Sequence, residues 1–192
     1  MKTALLLVDV QNDFFPGGPL ATPEGDGIIE PVNRLIEMFE RNGLPTYATR
    51  DWHPEGHCSF KEQGGPWPPH CIRETPGAAF NPAIQMPDSA VILSKATTQD
   101  RDAYSGFDGT DLADRLRQTV VSSLVVAGLA TDVCVKNTVF GGLEEGFDVT
   151  VVREAISGVE AQPGDSEKAM QEMVDKGARL VSIDHLDLNA SP

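Results

Sequence analysis

The chain has 192 residues, 40 % of them hydrophobic, which suits one domain with a sizeable core and excludes an intrinsically disordered chain. A formal net charge of −14 repels phosphate backbones and anionic lipid, so no nucleic-acid partner and no membrane partner is expected. Three cysteines are too few, and odd in number, for a disulfide framework, which makes a cytoplasmic location the expectation.

The start, MKTALLLVDV, reads as a strand over 4–9 and not as a leader, because Asp9 interrupts the apolar run and no small-residue cleavage pattern follows. Helical spacing of Ile29, Val32, Leu35, Ile36 and Phe39 predicts a helix over 28–42, stopped by Gly43. Further strands are predicted at 44–51 and 90–95, then a helix over 111–119 and a fourth strand over 122–130. A helix near 133–146, a strand over 147–152, a helix over 166–177 and a strand over 178–184 complete the pattern. His185 reads as a surface residue, and the tail HLDLNASP carries no chemical signal.

Near-continuous apolar strands alternating with amphipathic helices mean a sheet covered on both faces. The expected fold is α/β, three layers α/β/α, with an open, mostly parallel six-stranded, Rossmann-like sheet. No internal repeat or linker divides the chain, so residues 1–192 are read as a single domain. The exception to the pattern is an irregular, Pro- and Gly-rich segment at about 52–88, long enough to predict a functional loop.

Ligands of open α/β sheets sit beyond the carboxyl ends of the strands. Asp9 follows the first predicted strand, Asp51 and His53 the second, Lys95 the third and TDVC (131–134) the fourth. Cys134 lies where a strand hands over to a helix, and there free amides and the helix dipole favour a thiolate and a developing oxyanion. Asp9 could act as its base and Lys95 as a nearby charge. Against this stand a buried, inert cysteine, a carboxylate capping a turn and a solvated lysine. Asp51, His53 and His70, with His57 as a further candidate, could hold Zn²⁺, Fe²⁺ or Mn²⁺ in an open site. A closed structural zinc site built with Cys58 and Cys71 is the competing reading of the same cluster.

VDVQNDF (8–14) followed by two glycines, DWHPEGHCSF (51–60), WPPHC (67–71), PGAAF (76–80), SK (94–95), AYSGF (103–107) and GLATDVCV (128–135) occur in this order. Together they resemble the nicotinamidase (pyrazinamidase) group of the isochorismatase-like cysteine hydrolase family. The resemblance implies an isochorismatase-like hydrolase fold and amide hydrolysis of nicotinamide to nicotinate and ammonia through a thioester, a step of NAD salvage, with pyrazinamide as a second substrate. It implies Cys134 as nucleophile with Asp9 and Lys95, and Asp51, His53 and His70 as ligands of one divalent metal ion, with His57 similar to a ligand in some members. Phe14, Trp67 and Tyr104 match positions that line the ring pocket. Ala130 and Cys134 match the oxyanion-hole amides, with a cis peptide expected at Leu129–Ala130. Cys58 and Cys71 receive no role. An amidase for another small amide or an N-carbamoyl substrate is the alternative, followed by a non-catalytic metal-binding module. The partner implied is therefore a small molecule.

Overall fold

The computed structural model describes residues 2–188; Met1 and the last four residues of the HLDLNASP tail lie outside it. Six strands form one sheet: β1 (Lys2–Val8), β2 (Thr46–Asp51), β3 (Val91–Lys95), β4 (Val121–Leu129), β5 (Asp148–Ser157) and β6 (Arg179–Val181). All neighbours run parallel, in the order β3-β2-β1-β4-β5-β6. The order reverses between β1 and β4, the switch point at which such sheets open a crevice.

Side chains of a strand alternate between faces, and the core divides accordingly. Leu5 and Leu7 join the helix α1 (Ile29–Arg41) through Val32, Leu35, Ile36 and Phe39. Ala4, Leu6 and Val8 face the helices α2 (Leu112–Gln118), α3 (Lys136–Glu144) and α4 (Asp165–Asp175), through Leu112, Leu116, Val139 and Met173. Every residue from Ala4 to Val8 is fully buried, as the apolar run requires. Pro31 is tolerated in the first turn of α1 because no N–H is needed there.

Two strands differ from the sequence pattern. β5 continues five residues past Val152, to Ser157, although Arg153 and Glu154 are exposed. Its pairing with β4 shifts register between Val126 and Gly128, and Ala155 and Ile156 return to the core. β6 stops at Val181 because the Ile183 amide donates to Glu154 Oε2 at 3.1 Å and leaves the ladder for a 3-10 turn at Ile183–His185. Within 52–88 there are short 3-10 turns and isolated bridges in place of extended strands or helices. Among the described residues no helix is long and apolar enough to cross a membrane.

Candidate active site

The ends of β1, β2, β3 and β4 converge at the switch point. Asp9 leaves β1 with φ of +48°, while its amide donates to the Thr49 carbonyl at 3.2 Å. Close approach of β4 permits only glycine at 128, since a Cβ there would lie 2.1 Å from the Val8 carbonyl oxygen and φ is +122°. After β4 the chain passes the cis Leu129–Ala130 peptide and enters a π-helical turn, Thr131–Val135, which carries Cys134. That turn folds about the Ala130 carbonyl, which accepts from the Val133 and Val135 amides at 3.1 and 3.0 Å.

Lys95 is the hub. Its ammonium is 2.6 Å from Asp51 Oδ1 and 2.9 Å from Asp9 Oδ2, donates to the Ala103 carbonyl at 3.1 Å, and reaches Cys134 Sγ at 3.5 Å. Asp9, Asp51 and Cys134 place an oxygen, an oxygen and the sulfur within 4.8 Å of one another. Thr49 Oγ1 donates to Asp9 Oδ1 at 2.8 Å. Asp9 Oδ2 makes the ionic contact with Lys95 but accepts no aligned hydrogen bond, which leaves it open to a proton from the thiol.

Burial sets the charges of this cluster. It pushes Asp9 up to about 6, with Lys95 pulling down and Asp51 adding to the rise. It also raises the Cys134 thiol well above its ordinary range, more than Lys95 can offset, so the resting sulfur is protonated. Burial opposes the charge of Lys95, yet Asp51 and Asp9 outweigh it and keep the group firmly an ammonium. For Asp51 burial likewise opposes ionisation, but the Lys95 ammonium beside it holds the carboxyl below its usual range.

Across the cavity lie the histidines. His53 Nδ1 donates to the His70 carbonyl at 2.9 Å and His70 Nδ1 to the Pro68 carbonyl at 2.8 Å, because a carbonyl can only accept. Both rings therefore turn Nε2 toward Asp51, at 3.9 and 4.0 Å from its two oxygens. Burial lowers His53 to about 4, keeping it neutral. Two imidazoles oriented by backbone carbonyls and one carboxylate form a donor set that fits a divalent ion. His57 is differently placed. Its ring stacks beside His53, with centroids 4.3 Å apart, and its Nε2 donates to the Arg101 carbonyl at 3.1 Å while Nδ1 accepts from the Ser59 amide. It forms a second group with His53 and Asp102, apart from Asp51 and His70.

A narrow cavity separates the thiol from the histidines. Phe14, Asp51, His53, Trp67, His70, Tyr104, Ala130 and Cys134 all line it, so the structure brings these expected site residues to one place. Asp9 and Lys95 lie fully buried beneath it. Trp67 Nε1 donates to the Tyr104 hydroxyl at 3.1 Å, on the wall shared with an outer basin. Cys58 is half-buried, its sulfur 4.0 Å from His57 Nε2, and Cys71 is buried in the α1-side core.

Some contributors carry no sequence signal of their own. Gln11 is wholly buried and exchanges two hydrogen bonds with the Asp51 backbone, at 2.7 and 2.8 Å, fixing the end of β2 against the loop after β1. Asp132 accepts from the Val159 and Glu160 amides at 2.9 and 3.0 Å, which seats Val159 in the cavity wall. The VDVQNDF and TDVC motifs contained both residues, but their partners lie tens of residues away.

The isochorismatase-domain family model matches residues 3–185. The nicotinamidase of Escherichia coli (strain K12) is 39 % identical, over 94 % of this chain and 94 % of its own. The pyrazinamidase of Pyrococcus horikoshii, solved in complex with zinc, superposes with a TM-score of 0.91 at 49 % identity, covering 95 % of this chain and all of that one. PnC1 from L. infantum, solved in complex with nicotinate, gives a TM-score of 0.89 at 31 % identity, over 97 % and 95 % of the two chains. With its sheet, its site and these likenesses together, the chain belongs to the isochorismatase family.

Proposed function

We propose that this chain is a metal-dependent nicotinamidase, converting nicotinamide to nicotinate and ammonia through a thioester on Cys134, and that it also hydrolyses pyrazinamide. The observation that carries this reading is the Lys95 cluster. One buried ammonium touches the nucleophile, its base and a carboxylate of the candidate cation site, all around a single cavity.

The chemistry follows from the charges. Asp9, ionised at neutral pH, takes the proton of the Cys134 thiol, which burial keeps neutral at rest. The sulfur forms a bond to the carboxamide carbon, and the displaced electron pair resides on the oxygen, held by the Ala130 and Cys134 amides. Asp9 returns its proton to the leaving nitrogen, the C–N bond breaks and ammonia departs. Water then adds to the thioester as Asp9 accepts its proton, and breaking of the C–S bond releases nicotinate and regenerates the thiol. Lys95 keeps the ionised members of the cluster in place throughout. Phe14, Trp67 and Tyr104 hold the ring.

Asp51, His53 and His70 are the proposed ligands of one divalent ion, which when bound supplies a Lewis-acidic position for the ring nitrogen of the substrate. Zinc is the proposed metal in preference to iron or manganese, supported by the zinc complex of the P. horikoshii pyrazinamidase. His57 joins this set only if it exchanges tautomer and gives up the Arg101 carbonyl.

Ammonia release from nicotinamide by wild type, Cys134→Ala and Cys58→Ala tests the assignment. Cys134→Ala is expected to lose at least about 10³-fold in kcat, as removal of a nucleophile does, and Cys58→Ala to stay near wild type. Full activity in Cys134→Ala rejects the mechanism. An inactive wild type with zinc supplied rejects the substrate. Activity that survives complete chelation leaves the ion without a part in the reaction.

A further inference from the structure

Asp13 lies in the 3-10 turn Asn12–Phe14 that follows β1, four residues after the proposed base. Its Oδ2 accepts a hydrogen bond from the Cys71 amide at 2.7 Å. Cys71 is fully buried and has φ of +46°, a conformation that L residues other than asparagine and aspartate seldom adopt.

The peptide groups around Cys71 hold His53. The His70 carbonyl accepts from His53 Nδ1 at 2.9 Å, the Cys71 carbonyl accepts from the His53 amide at 3.0 Å, and the Arg73 amide donates to the His53 carbonyl at 2.9 Å. Residues 70–73 are thus strapped along His53, and the Asp13 carboxylate fastens the bend in the strap to the loop after β1. A second observation isolates the carboxylate. A Cβ on Gly77 would lie 2.2 and 2.3 Å from its two oxygens, so the carboxylate reaches the Cys71 amide only because residue 77 has no side chain. The φ of Gly77 is outside the left-handed region, so alanine there changes the packing and not the backbone preference.

We propose that Asp13 is a positioning residue for the cation site. By holding the Cys71 amide it fixes His70, and through the carbonyls of His70 and Cys71 it fixes the ring of His53. An ionised acceptor suits the task, because N–H···O⁻ bonds are shorter and roughly twice as strong as neutral ones. The inference rests on the reading of Asp51, His53 and His70 as ligands. Gly77 explains why the PGAAF motif needs its glycine, and the strap explains why WPPHC ends in a small buried residue instead of a further ligand.

The test is Zn²⁺ affinity of the chelator-stripped full chain, by competition titration, with Co²⁺ visible bands recording ligand geometry. Asp13→Asn keeps the size but loses the charge, and Gly77→Ala displaces the carboxylate without altering it. Each is expected to bind Zn²⁺ 10–100-fold more weakly than wild type and to shift the Co²⁺ bands, the range observed when partners behind metal ligands are replaced. Val149→Ala, a cavity in the opposite core, is expected to lower the melting temperature and leave affinity unchanged. Affinities within twofold of wild type in both Asp13→Asn and Gly77→Ala overturn the inference. So does an equal loss in Val149→Ala, which would make the effect one of general stability. A wild type that binds no Zn²⁺ overturns the metal reading itself. If Asp13→Asn does not fold, Gly77→Ala decides alone.

Discussion

Lys95 holds its charge with no exposed surface, and two carboxylates and a thiol divide it between them. Asp9 has the smaller share, because Asp51 sits closer to the ammonium, and its pKa accordingly rises from 3.8 to about 6 with burial as the main cause. Only the ionised form can take the thiol proton, so kcat/KM is expected to fall about tenfold per pH unit below about 6. Thr49→Val removes the 2.8 Å hydrogen bond to Asp9 and should move this acid limb up by about one unit. A limb that stays put in the pH profile of Thr49→Val rejects Asp9 as the titrating base. The same shift affects stability in the opposite sense to a salt-bridged surface acid. Between 3.8 and about 6 the folded chain retains a proton that the unfolded chain has lost. The contribution of Asp9 is therefore complete below that window and gone above it.

The turn Thr131–Val135 gains its rigidity from outside itself. Asp132 grips the loop after β5 with both carboxylate oxygens, and this loop brings Val159 to the cavity wall. Asp132→Asn turns one acceptor into an NH₂ group facing a backbone N–H. KM for nicotinamide is expected to rise about tenfold with kcat within about threefold, which steady-state kinetics measures; a fall in kcat alone would place the role of Asp132 in the chemistry instead. Elements of this kind mark the limit of what the sequence discloses. Asp9, Asp51, His53, Lys95 and Cys134 were legible because each follows an apolar run, and a six-stranded sheet covered on both faces follows from burying those runs, though its strand order does not. Gln11, Thr49 and Asp13 were not, since their meaning lies in partners 40 to 67 positions away that only the fold supplies. The full length of β5 was hidden by Arg153 and Glu154, a charged pair where a register shift turns the strand outward for two residues.

At the scale of the molecule, a net charge of −14 on 192 residues leaves the surface repelling itself, while many of its ion pairs join exposed side chains worth little each. Raising NaCl from about 20 mM to about 0.5 M shortens the screening length from roughly 20 Å to under 5 Å, and the melting temperature should climb. A fall would mean that the ion pairs outweigh the repulsion. The position of β1 has one more consequence. It is one of the two central strands of the sheet, lying between β2 and β4, and its wholly buried leucines find the second of these neighbours only when residues 121–129 have been made. On a ribosome adding about 5–20 residues per second, that strand waits on the order of 6–24 s for its companion. Through that interval the first half of the chain carries an apolar ribbon with an unpaired edge, the kind of surface on which newborn chains aggregate.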